Sequence, residues 1–113
     1  MHELSLAQAL VEEVERRAQN EKAQKVTEVK VSLGKFSGVW RESIEFCYPI
    51  LCEGTLLEGS TLAIDEIPLT LHCPQCQKDS HPQHFRLKCE HCQSTQVEIT
   101  AGKEFKIISM EFQ

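Results

Sequence analysis

The sequence predicts an α+β fold in which two helices pack on a small three-stranded sheet, interrupted by an inserted cysteine-rich module. Three observations predict it. Apolar residues recur at helical spacing in two segments and at strand spacing in three others. Four of the six cysteines crowd into residues 73 to 92 of a 113-residue chain.

The first helix is expected from about Leu4 to Glu21. Leu4, Ala7, Leu10, Val11, Val14 and Ala18 fall on one stripe. Glu12 and Arg16, and Glu13 and Arg17, are i,i+4 pairs in the favourable order, acid first. Asn20 and the polar run behind it end the pattern. From Val26 to Leu33 the chain alternates, with Val29, Val31 and Leu33 on one face and Glu28, Lys30 and Ser32 on the other. That is a half-buried strand.

Gly34, Ser37 and Gly38 then mark a loop. A second helix, from about Arg41 to Glu53, carries Ile44, Cys47, Tyr48 and Leu51 on one face. Pro49 should kink or shorten it, because proline has no amide hydrogen. Gly54 is a natural C-terminal stop. Leu62 to Ile67 reads as a strand with Leu62 and Ile64 inward, ended by Pro68. Phe105 to Phe112, apolar on both faces, reads as a well-covered strand returning to the first core. Residues 1–68 plus 101–113 therefore form one predicted domain and residues 69–100 the inserted module.

Composition narrows the function. The net charge of −5 argues against a nucleic-acid binder, whose affinity comes from Lys and Arg on phosphates. It gives no reason to expect an anionic membrane either. No apolar run approaches the ~20 residues of a membrane span. The opening residues lack the basic, then uninterrupted apolar, pattern of a signal peptide. The expectation is a cytoplasmic protein, where thiols stay reduced and six cysteines point to metal ligands or core thiols before disulfides.

Cys73-Pro74-Gln75-Cys76 and Cys89-Glu90-His91-Cys92 are two C-x2-C pairs separated by twelve residues. Two intervening residues let a tight turn present both sulfurs to one ion. Two such turns supply four thiolates in a tetrahedron, the donor set of a closed structural Zn(II) site. The module has little else to hold it: Phe85, Leu87, Val97 and Ile99 are too few to bury some thirty residues of chain. Zinc then supplies much of its folding free energy, and the module reads as zinc-ribbon-like. Iron on the same four sulfurs stays open, since thiolates alone do not choose the metal. A redox pair would use a single C-x2-C opening a helix. His72, His81, His84 and His91 lie in or beside the module. They read as solvated loop residues, or one of them as a group that replaces a cysteine or feels the site's charge.

Met1-His2-Glu3 brings four nitrogens together: the α-amine, the amides of His2 and Glu3, and the His2 imidazole. The amine and the two amides close five-membered chelate rings, and the imidazole reaches the fourth corner of a plane. Square-planar nitrogen ligation suits Ni(II) or Cu(II). The amides at a helix start have no intrahelical partner, which leaves them available. The plainer alternative is an exposed His2 beside a Glu3 that complements the helix's positive end.

Cys47 and Cys52 lie five apart in the second helix and read as buried free thiols, and Trp40 as a core residue or, if exposed, an anchor for a partner. No Ser-His-Asp or Cys-His pattern and no Gly-rich phosphate loop stands out, so no enzymatic turnover is expected.

The order of these features carries a resemblance: MHEL opening a helix, Gly34-Lys35-Phe36-Ser37 after a strand, Glu53-Gly54-Thr55 after the second helix, C-x2-C-x12-C-x2-C, and a returning strand. Over essentially the whole chain this resembles the HypA/HybF family of hydrogenase nickel-incorporation proteins. The resemblance implies a nickel metallochaperone that binds Ni(II) at its N-terminus and delivers it to the [NiFe] hydrogenase large-subunit precursor, working with a HypB-type GTPase. Some relatives also serve urease maturation. It implies nickel on His2 with the backbone nitrogens of Met1, His2 and Glu3, structural zinc on Cys73, Cys76, Cys89 and Cys92, and a monomer or homodimer. The competing reading is a zinc-ribbon adaptor without nickel function.

Overall fold

The computed structural model describes residues 2–84 and 86–113, with the backbone alone for His2. Met1 and Phe85, both named in the sequence reading, lie outside the described residues. The element order is α1 (His2–Asn20), β1 (Val26–Gly34), α2 (Arg41–Cys52), β2 (Thr61–Ile67), β3 (Thr70–His72), β4 (Asp79–Ser80), β5 (Glu98–Ala101) and β6 (Phe105–Phe112). Two three-stranded sheets form, ordered β2-β1-β6 and β4-β3-β5. The α+β class with a cysteine-rich insertion is thus observed. The chain divides into two compact units, Met1–Ser32 with Val39–Asp65 and Lys106–Gln113, and Leu33–Gly38 with Glu66–Phe105.

In the first unit, α1 packs against α2. The predicted stripe of α1 is buried at Ala7, Leu10, Val11, Val14 and Ala18, whereas Leu4 is 40% exposed at the first turn. Arg17 pairs with Glu13 at 2.8 Å as expected. Arg16 does not take Glu12. It turns to Glu13, three residues back, while Glu12 accepts from Gln8 Nε2 at 3.3 Å. The helix closes in a Schellman arrangement. Ala23 N–H donates to the Ala18 carbonyl (2.9 Å) and Lys22 N–H to that of Gln19 (3.0 Å), with Lys22 left-handed at φ 57°.

Strand β1 is central, and its position overrides the alternating pattern. Val31, Ser32, Leu33 and Gly34 are all buried, so Ser32 is not on a solvent face as its sequence position implied. Among the described residues its buried Oγ has no hydrogen-bond partner. Lys25 and Gln113 exchange backbone hydrogen bonds, and Thr27 Oγ1 donates to the Glu111 carbonyl at 3.1 Å, so β6 runs antiparallel to β1. The two outer strands are less covered. No residue of β6 is buried, and Ile108 is 47% exposed, against the expectation of a well-covered strand. An edge strand has a neighbour on one side only, and apolar residues on both of its faces do not change that.

Helix α2 buries Ile44, Tyr48 and Cys52, an i, i+4, i+8 row, and runs on past Pro49 to Cys52. Cys47 and Leu51, placed on the inward face by the sequence, are only half-buried. Tyr48 OH and Ser60 Oγ share a 2.6 Å hydrogen bond. Trp40 is not in the core. It is the N-cap residue, extended at φ −85° and ψ 125°, and 71% exposed.

The second unit contains the β4-β3-β5 sheet, antiparallel throughout. Leu71 pairs with Ser80 on one side and Ile99 on the other, and a bulge lies between Thr70 and Leu71. The loop after β1 joins this unit through main-chain bonds. Gly34 N–H donates to the Glu104 carbonyl (2.7 Å), Lys35 N–H to Ile67 (2.8 Å) and Phe36 N–H to Gly102 (2.8 Å). The approach is close enough to need glycine: a Cβ on Gly34 would stand 2.2 Å from the carbonyl carbon of Gly102.

Candidate metal centre

Two short turns build the centre, and they are copies of each other. In the first, Gln77 N–H donates to the Cys73 carbonyl (2.8 Å) and Cys73 N–H to that of Lys78 (3.0 Å). In the second, Gln93 N–H donates to Cys89 (3.0 Å) and Cys89 N–H to Ser94 (2.9 Å). The residue after the second cysteine is left-handed in both, Gln77 at φ 61° and Gln93 at φ 67°. That reversal curls each turn back on itself, so that C-x2-C points both sulfurs inward.

Together the turns bring Cys73, Cys76, Cys89 and Cys92 into one group whose sulfurs all lie within 4.8 Å of one another. Cys73 and Cys92 approach to 3.5 Å, and Cys76 and Cys89 to 3.6 Å. A Zn(II) at ~2.3 Å from each of four tetrahedral sulfurs separates them by ~3.8 Å, so the quartet has the size and donor chemistry of a structural zinc site. Four cysteine ligands leave no open position. The zinc, when bound, supplies a fourfold crosslink to a module with little apolar core.

The electrostatics of the quartet are uneven. Cys89 Sγ receives the amides of Cys92 (3.5 Å) and His91 (3.4 Å). These donors, the Cys92 amide foremost, outweigh burial and draw the Cys89 thiol down to about 6. Cys73 is lowered too, chiefly by the amide of Cys76. Cys92 gains most from the Ser94 amide, which favours its thiolate. Yet the Cys73 sulfur, burial, and the Cys89 and Cys76 sulfurs together prevail and push it up to about 12. Burial raises Cys76 as well. Negative charge on one sulfur opposes charge on the next, so the full set of thiolates needs a cation among them.

Ser80 was not foreseen from the sequence. It is 2% exposed on β4, and its Oγ accepts from Glu90 N–H at 3.0 Å while lying 4.0 Å from Cys89 Sγ. It ties the second turn to the sheet. A serine in a polar stretch carries no motif that could have announced this.

The histidines stand apart from the sulfurs. Among the described residues no histidine belongs to the candidate metal group. His72 Nδ1 lies 2.9 Å from Asp79 Oδ1, His91 Nε2 lies 3.1 Å from the Asp79 carbonyl, and His81 Nδ1 meets Thr70 Oγ1 at 3.3 Å. Of the N-terminal tripeptide, the backbone of His2 and Glu3 lies in the first turn of α1. A second feature of the first unit is a depression of about 360 Å³ lined by Glu3, Leu4, Glu42, Ser43, Phe46 and Cys47. Among the described residues, no helix is long and apolar enough to cross a membrane.

Known proteins share this architecture. A family model described as hydrogenase/urease nickel incorporation, metallochaperone, HypA matches residues 1–112. The chain is 40% identical over 111 residues to the hydrogenase maturation factor HypA of Nitrosospira multiformis, covering 98% of this chain and 96% of that one. It is 37% identical over 115 residues to the HypA of Klebsiella pneumoniae, with all of both chains covered. Among solved structures, a solution structure of a HypA protein superposes with a TM-score of 0.76 at 28% identity, covering 100% of this chain and 97% of that one. The solution structure of the Ni metallochaperone HypA from Helicobacter pylori gives 0.69 at 27% identity, covering 97% and 96%.

Proposed function

This chain belongs to the HypA family of nickel metallochaperones in hydrogenase maturation, and from that premise we propose that it binds Ni(II) at its N-terminus and hands it to the [NiFe] hydrogenase large-subunit precursor. The observation that carries the proposal is the family match from residue 1 onward, together with a helix that starts at His2. Because α1 begins there, the amides of His2 and Glu3 have no carbonyl one turn back and are free of the helix's own bonding. With the α-amine of Met1 and the His2 imidazole they make a planar set of four nitrogens, which suits Ni(II). The amine (~8) and the imidazole (~6.5) must lose protons to bind, so nickel is held at neutral pH and released in acid.

Nickel is cargo here, and the protein turns nothing over. A site at a chain end with a single side-chain ligand lets an acceptor replace donors one at a time. Residues 1–68 plus 101–113 are assigned to nickel. Residues 69–100 hold structural zinc on Cys73, Cys76, Cys89 and Cys92 and keep the module folded. A HypB-type GTPase is the proposed working partner, since this chain offers no phosphate loop, and the proposed compartment is the cytoplasm.

The test is metal analysis and calorimetric Ni(II) titration of untagged protein and its His2→Ala variant. One tightly held zinc is expected in both, with nickel uptake in the parent alone. Extending the chain before Met1 should weaken nickel binding as well, because it removes the α-amine. Equal nickel affinity in parent and His2→Ala refutes the nickel assignment and leaves a zinc-ribbon adaptor.

A further inference from the structure

Helix α2 has two apolar faces, and only one is used within the fold. Ile44, Tyr48 and Cys52 are buried. On another side, Trp40, Ser43, Phe46, Cys47 and Ile50 follow an i, i+3, i+6/7, i+10 progression, which on a helix is one continuous stripe. Trp40 and Phe46 are each 71% exposed and Ile50 55%. Single exposed apolar residues are ordinary, but three large ones aligned along one helix, beside a half-exposed Leu4, form a contiguous patch of the kind that marks an interaction site. At the N-terminal end of this stripe lies the depression between the first turns of α1 and α2, walled by Leu4, Ser43, Phe46 and Cys47 and carrying the carboxylates of Glu3 and Glu42.

The charge around the patch selects its occupant. Among the described residues lining the depression there are two carboxylates and no lysine or arginine. Arg41, the basic residue of α2, is engaged by Glu45 at 3.5 Å. A second copy of this chain is a poor occupant, because it would bring Glu3 and Glu42 against themselves and a net charge of −5 against the same charge. The stripe from Trp40 to Ile50 extends ~15 Å at the helical rise, about the length of three turns of an opposing helix.

We infer that the outer face of α2, with the depression beside the first turn of α1, docks an amphipathic helix of a partner protein whose apolar ridge is flanked by lysines or arginines. Phe46 and Trp40 are its apolar anchors, and Glu3 and Glu42 receive the basic flank. The docking surface stands on exposed side chains alone. Its importance for cargo transfer rests on the proposed nickel function, since Glu3 belongs both to the depression and to the nickel tripeptide, and the docked helix then sits where an acceptor's ligands are needed.

The chain supplies its own reporters. Trp40 is the single tryptophan, and Cys47 is the half-buried thiol of this unit, whereas Cys52 is 2% exposed. The experiment uses zinc-loaded, nickel-free protein and a synthetic helical peptide with leucines along one face and lysines beside them. Two controls accompany it: the same peptide with glutamates for lysines, and a scrambled leucine–lysine peptide. The expected result is a saturable blue shift of Trp40 emission and protection of Cys47 from maleimide by the first peptide alone. Phe46→Ala should weaken binding about thirtyfold, the loss typical of a central aromatic anchor. Glu42→Lys should weaken it about fivefold and flatten its salt dependence. Both residues lie at the surface, so unchanged circular dichroism is expected in both variants.

Equal binding of the glutamate or scrambled peptide overturns the proposal, as does full affinity in Phe46→Ala. Sedimentation showing a dimer that already shields Trp40 also overturns it, in favour of a second copy. Nickel plays no part in this assay. Failure of peptide docking with intact His2-dependent nickel uptake rejects this inference only, and the converse rejects the nickel assignment only.

Discussion

Acid should release zinc from the four-cysteine centre with a steepness set by the protons its thiols hold when the metal is absent. Cys89, drawn down to about 6 mainly by the Cys92 amide, is already mostly thiolate at pH 7. Cys92 stands at about 12, and Cys76 lies above the ordinary thiol value, so both still carry protons there. Cys73 is lowered, chiefly by the Cys76 amide. Zinc takes four thiolates. At neutral pH its binding therefore expels at least the protons of Cys76 and Cys92, and the logarithm of apparent affinity should climb by about two or more per pH unit. Below the Cys89 value that thiol takes up its proton as well, and the slope should steepen by about one. The sign follows from linkage: the zinc-bound module binds fewer protons than the metal-free one, so its stability rises with pH and is lost as pH falls. Competition against a chromophoric chelator between pH 5 and pH 8, with absorption of the cobalt-substituted protein as a second readout, measures the slope. A slope of one or less near pH 7 refutes the reasoning. It would mean either that the sulfurs are already ionised without metal or that fewer than three of them bind.

Two substitutions test the packing. Ser32→Ala removes a buried hydroxyl that has no hydrogen-bond partner among the described residues, so denaturant titration should show neutral to ~1 kcal/mol stabilisation; a clear loss would mean that Oγ has a partner after all. Gly34→Ala forces a methyl group to within 2.2 Å of Gly102 and 2.5 Å of the Lys103 nitrogen, both backbone. Main chain cannot swing aside, so thermal unfolding should show a loss of ~3 kcal/mol or more.

Predictions from residue order succeeded where the physics is local. Two residues between cysteines dictate a tight turn, and both turns formed with the same hydrogen bonds and the same left-handed Gln77 and Gln93. The apolar stripe of α1 at Ala7, Leu10, Val11, Val14 and Ala18 buried itself because a period of 3.6 admits one solution. The Gly34-Lys35-Phe36-Ser37 segment could be recognised as a signature, but its reason lies in a contact with Gly102, far along the chain. No periodicity encodes such a contact.

The misplacements share one cause. Ser32 looked solvent-facing from alternation, and β6 looked well covered from its apolar content. Which strand is central and which lies at an edge depends on pairing between distant segments, and composition does not carry that order. Trp40 looked like core by chemistry, and Cys47 and Leu51 by spacing, yet α2 has room to bury one side and the Ile44, Tyr48 and Cys52 row claims it. Spacing was enough to single out the four cysteines that gather into one cluster and the first helix of the chain. Burial is a competition among all segments for a limited interior, so the exposed face of α2 became visible only once that competition was resolved in three dimensions.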